Sequence, residues 1–142
     1  MLNLRESIIN SITITYVGDL ILLKDGVVGA YSNKTRRYDF NDMFKFTSKY
    51  FHSSDLSIGI YEGPSAGNNT SYSTSNYDDR IPLFLNFPDE FVEAVYKSGI
   101  NLVSTANNHL LDKKIEGAIR TLDILDKYKY LMLVVIEILM KK

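Results

Sequence analysis

A chain of 142 residues is long enough for one ordinary domain, and 45% hydrophobic with 23% charged residues is the make-up of a chain that buries a core, which excludes disorder along its length. Its net charge of -1 contains no large block of one sign, because Lys34, Arg36 and Arg37 are offset by Asp39 and Asp42, and this argues against a nucleic-acid partner. Cysteine is absent, so disulfides, thiolate zinc sites and cysteine nucleophiles are excluded, and any metal must be held by oxygen and imidazole.

The first twenty residues, MLNLRESIINSITITYVGDL, lack a continuous apolar core and a small-residue cleavage site, so they do not read as a signal peptide. Within them residues 12–17, ITITYV, alternate and are rich in β-branched side chains, which predicts a strand entering a turn at Gly18 and Asp19. A polar, glycine-containing connection leads to residues 40–51. There Phe40, Met43, Phe44, Tyr50 and Phe51 form a stripe behind Asp39 or Asn41 as cap, which predicts a helix.

Ser54 and Asp55 open a second strand over residues 56–61. Residues 63–80 are dominated by Ser, Asn, Thr, Gly, Tyr and Asp, too polar to pack and too long for a tight turn. They predict a surface loop that could serve as a lid. Pro88 and Asp89 start a helix with Phe91, Val92, Val95 and Tyr96 at helical spacing and Gly99 past its end.

Residues 100–104, INLVS, read as a third strand, followed by Asn107, Asn108 and His109 and by a helix over about residues 112–128 with Ile115, Ile119, Leu122 and Leu125 on one face. Residues 130–139 would be a fourth strand. The apolar run 131–140 is about half the length of a membrane span and contains Glu137, so a buried strand or an atypical tail is expected.

Strands separated by helices imply right-handed β-α-β units: an α/β fold with a mostly parallel sheet and helices on both faces. Ligands of such sheets gather outside the carboxyl ends of the strands, where Asp19, Glu62 and the segment Asn107, Asn108 and His109 fall. Singly these are ordinary turn and loop residues. Converging on one rim, two carboxylates, a carboxamide and an imidazole would suit a hard or borderline divalent cation, with the imidazole as ligand or proton donor. His52 reads as a helix-terminal or surface residue. The turn Gly18-Asp19-Leu20 lacks the Gly-x-Gly-x-x-Gly pattern of a dinucleotide site.

The ordered segments ITITYVGDLIL, YDFNDMF, SSDLSIGIYEGP and GINLVSTANNHLLDKKIEGAIRTLDIL resemble the poly-gamma-glutamate capsule biosynthesis proteins of the CapA type over about residues 12–128. Val17-Gly18-Asp19, Tyr38-Asp39-Phe40 and the run from Thr105 through His109 with Asp112 carry the resemblance. It implies a partial calcineurin-like metallophosphatase fold. By that resemblance Asp19 and Glu62 are metal ligands, Asn108 is the amide ligand and His109 the catalytic acid or phosphate-facing donor, while Asn107 and Asp112 orient the loop.

The same resemblance implies divalent manganese or zinc as cofactor, poly-gamma-glutamate or the capsule synthesis machinery as partner, hydrolase-like chemistry and work at the cell envelope. Ile60 stands where the family usually has asparagine, and the chain holds only His52 and His109, without the family's later histidines. The expectation is therefore a single domain over residues 1–142, truncated before its carboxyl-terminal half, with 129–142 an atypical tail. With neither signal peptide nor transmembrane segment, such a chain would be cytoplasmic or of unassigned location. The alternative function is an inactive fragment or a half-domain that depends on a partner.

Overall fold

The computed structural model describes residues 11–133. Four strands, β1 (Ile14–Leu20), β4 (Leu56–Tyr61), β5 (Leu102–Ser104) and β6 (Leu131–Leu133), form one sheet in the order β1-β4-β5-β6. Every pairing is parallel, with Ile14 opposite Leu56, Ile58 opposite Leu102 and Leu102 opposite Leu131. Parallel strands need a crossover between each pair, and these crossovers carry α1 (Lys24–Ala30), α2 (Ser48–His52), α3 (Asp89–Lys97) and α4 (Lys114–Lys127). The fold is α/β with a parallel sheet, as the alternation of strand and helix patterns implies.

The side-chain period of two assigns the strands' residues to two faces. Ser57, Tyr61 and Val103 are fully buried on the first, against a core that includes Phe51 of α2, Phe91, Val92 and Val95 of α3, and Leu125 of α4. Tyr61 packs edge-on to Phe87 with centroids 5.4 Å apart, and Phe87 packs in the same way on Phe91. Gly59 on this face has no room for a Cβ, which would stand 2.7 Å from Leu20 Cδ1.

On the second face Ile14, Tyr16, Leu131 and Leu133 are 55–62% exposed. Each step from β1 to β4, β5 and β6 moves the same way across the sheet, so right-handed crossovers fall on one side. The expected parallel sheet is present. Helical cover on both faces is not found: among the described residues the helices cover one.

Several local expectations need correction. The strand over residues 12–17 runs on to Leu20 through a register shift between Tyr16 and Asp19, so Asp19 lies in β1, opposite Ile60, not in a turn beyond it. The continuous helix over 40–51 is instead a 3-10 turn, Asn41–Phe44, and the short α2. Phe40 and Phe51 enter the core, but Met43, Phe46 and Tyr50 are more than half exposed, so no single apolar face supports one helix. The Asp39 carboxylate caps this turn by accepting the Asn41 backbone N–H at 3.0 Å.

Between β1 and that turn lie α1 and a small antiparallel pair, β2 (Tyr31–Ser32) and β3 (Arg37–Tyr38), both unforeseen. Gly26 and Gly29 mask the helix by propensity.

The polar segment 63–80 does pack. Ser65, Ser73 and Ser75 are buried, and the fully buried Asn86 side chain ties the loop by accepting the Ala66 N–H at 2.7 Å and donating to the Gly67 carbonyl at 2.9 Å. Such a segment is pinned, which does not suit a mobile lid. Helix α3 begins after Pro88, and α4 starts two residues later than the pattern suggested. Only Leu131–Leu133 of the fourth strand falls among the described residues, and the rest of that expectation, with the tail beyond, lies outside them. Among the described residues no helix is long and apolar enough to cross a membrane.

Candidate active site at the carboxyl ends of the strands

Adjacent parallel strands deliver their carboxyl ends to one rim, and β1, β4 and β5 bring Asp19, Glu62 and the segment after Ser104 there. The Glu62 backbone N–H donates to the Leu20 carbonyl at 3.3 Å, which ties the end of β4 to the end of β1. This contact brings two carboxyl groups together. Glu62 is half-buried and its pKa lies above the ordinary glutamate value, first through burial, then through a hydrogen bond with Asp19 and the charge of that carboxylate, while the His109 imidazole pulls it back down. The neighbouring carboxylate and the burial both make it harder for Glu62 to ionise than for a free glutamate.

The segment after β5 is fixed by side-chain amides and carboxylates. Asn107 Nδ2 donates to the Tyr61 carbonyl at 2.8 Å, and its Oδ1 accepts the His109 backbone N–H at 3.0 Å. One carboxamide thus joins the end of β4 to the histidine. Asp112 Oδ2 accepts the Leu85 N–H at 2.6 Å and lies 2.8 Å from His109 Nδ1. A carboxylate that already faces one donor fixes Nδ1 as the protonated nitrogen, leaving Nε2 free to accept a proton. Both side chains are shielded, at 15% and 11% exposure.

Asn107 and Asp112 thus each tie the segment after β5 to another part of the chain. Asn108 is exposed and makes no side-chain hydrogen bond among the described residues, so its amide oxygen is the unengaged one of the pair. His52 takes no part in the rim. Its Nε2 lies 3.1 Å from the Lys97 carbonyl, joining α2 to the end of α3, and Gly99 packs against it.

In kind, two carboxylates and an imidazole suit a divalent cation. In spacing they fall short, because no three acidic or histidine side chains among the described residues stand close enough to hold one metal ion.

Two features escaped the sequence reading. The Leu85 N–H partner of Asp112 comes from the segment before α3, and no local pattern links position 85 to 112. A cavity of about 440 Å³ lies beside the dyad and shares Asp112 with it. Arg120 on its wall grips both oxygens of Asp89 at 2.8 Å, and the Ser65 carbonyl accepts from the same guanidinium. No curated protein matches this chain. The family model described as bacterial capsule synthesis protein PGA_cap matches residues 13–134.

Proposed function

Because the chain belongs to the bacterial capsule synthesis protein family, we propose that it acts in the assembly or export of an anionic poly-gamma-glutamate capsule through hydrolase-like chemistry at the rim of its sheet. The observation that supports this reading is the meeting of Asp19, Glu62 and His109 at the ends of three adjacent strands. In it Asp19 and Glu62 are the carboxylate ligands of a manganese or zinc ion, and Asn108 adds a neutral oxygen. A further donor is needed, since the described residues do not assemble three acidic or histidine groups. When bound, such an ion would supply a Lewis acid next to the substrate.

The protein's own groups divide the remaining work. Asp112 holds the His109 ring so that Nε2 can take or deliver a proton at the reacting group, and Asn107 fixes the distance of that ring from Glu62.

Thermal unfolding with added manganese or zinc tests the reading: either ion raises the melting temperature of the wild type and fails to do so in Asp19→Ala. A melting temperature indifferent to both ions counts against it.

A second reading, a half-domain that works only with a partner, is favoured by one observation. The second sheet face presents Ile14, Tyr16, Leu131 and Leu133 to solvent, although parallel sheets are ordinarily buried on both faces.

A further inference from the structure

The cavity beside the dyad has a lining that packing alone does not account for. Three cations line it, but Arg120 is committed to Asp89, whereas Lys113 and Lys114 form no ion pair among the described residues. Of the two acids on the wall, Asp112 is occupied by His109 and the Leu85 N–H, which leaves Glu116. Two lysines without an ion pair among the described residues therefore line the cavity beside one uncommitted acid, Glu116, with Thr70 and Ala66 completing the lining. Gly117 keeps the wall thin, since a Cβ there would meet Lys113 Cβ at 2.5 Å and Ala66 Cβ at 3.1 Å.

Lys114 has left-handed backbone. Four non-glycine residues have left-handed backbone: Arg36, Arg80, Lys114 and Lys129. Arg36 sits in the turn between β2 and β3, Arg80 closes the 3-10 turn Tyr77–Asp79, and Lys129 follows the cap of α4, all places where such a conformation is usual. Lys114, with φ 61°, closes the turn that begins at Leu111, whose carbonyl accepts its N–H at 2.8 Å, and leads into α4.

We infer that this cavity is a subsite for the carboxylate-bearing chain of the substrate, holding with Lys113 and Lys114 the units next to the one presented to His109. The inference rests on the proposed function, because Asp112 belongs both to the dyad and to the cavity wall and so makes the two spaces neighbours. The ammonium groups match side-chain carboxylates, and Glu116 and Thr70 supply acceptors for the N–H groups of an amide-linked chain.

The test is calorimetric titration of the full chain with a γ-linked glutamate oligomer, beside manganese-dependent melting of the same preparations. The wild type binds the oligomer. Lys114→Gly weakens binding about tenfold, as loss of one charge-assisted contact does, with a melting temperature unchanged or higher because glycine accepts the left-handed backbone. Lys114→Arg retains binding, Lys113→Gln weakens it, and the manganese shift stays intact in all three.

Oligomer binding that is equal in Lys114→Gly, Lys113→Gln and wild type overturns the subsite, as does a wild type that responds to manganese and ignores the oligomer. Oligomer binding that depends on Lys114 in a protein indifferent to manganese supports the subsite and removes the metal reading instead.

Discussion

Replacing Asp112 by asparagine probes the organisation of the dyad without changing its size. In the wild type one oxygen, Asp112 Oδ2, faces both the Leu85 N–H at 2.6 Å and His109 Nδ1 at 2.8 Å. An asparagine can put its oxygen there, which keeps both acceptors without the charge, or its amide, which leaves Leu85 without an acceptor and moves the His109 proton to Nε2; the charge-assisted bonds are lost either way. Hydrogen bonds to a charged group are worth about 1.5–3 kcal/mol, and both side chains are largely shielded, so a loss of about 2 kcal/mol is expected. For a domain of this size that lowers the melting temperature by about 6–10 °C.

Circular dichroism melting gives this loss, and nitrogen-15 spectra of the His109 ring report which nitrogen then carries the proton. A variant that melts within a degree of wild type and keeps the Nδ1–H tautomer would refute the reasoning, because Asp112 would then not be what orients the ring.

The Glu62 pKa makes a pH prediction. A carboxyl group whose folded pKa is raised binds its proton more tightly in the native state than in the unfolded chain, so stability falls as pH rises above the ordinary value of 4.5. Without metal, Glu62→Gln should abolish that slope and melt higher than wild type at neutral pH; an unchanged slope in a pH series of melting curves contradicts this assignment. On the open sheet face, Tyr16→Ser and Leu133→Ser should each change stability by less than about 0.5 kcal/mol and reduce binding of a hydrophobic dye, whereas the fully buried Val103→Ala should cost about 2 kcal/mol by chemical denaturation. Equal costs at the three positions would show that the second face is covered.

The legible part of the fold was the part in which local pattern and tertiary burial agree. Residues 56–61 alternate against a core that buries Ser57, Gly59 and Tyr61, and the helix after Pro88 buries Phe91, Val92, Ala94 and Val95 on one side. Residues 40–51 misled because aromatic content resembles an amphipathic stripe, while only Phe40 and Phe51 reach the core. The segment 63–80 misled in the opposite direction. Its polar residues bury because Asn86, distant in sequence, satisfies their backbone groups.

The rim residues were legible through a topological rule: parallel strands share one carboxyl edge, and residues at strand ends can be named before their contacts are known. The contacts themselves were not legible. That Asn107 bonds to the Tyr61 carbonyl, and Asp112 to the Leu85 N–H, depends on the register between segments far apart in the chain. The one-sided cover of the sheet followed from the strand order, which no periodicity reveals.

The most direct measurement is the pattern of nuclear resonance broadening when manganese is titrated into isotopically labelled protein. Selective broadening of Asp19, Glu62, Asn108 and His109, abolished by Asp19→Ala, is the result expected of a cation held at the meeting point of β1, β4 and β5. Broadening scattered over surface carboxylates, or centred near His52, would contradict a metal site at the ends of these strands.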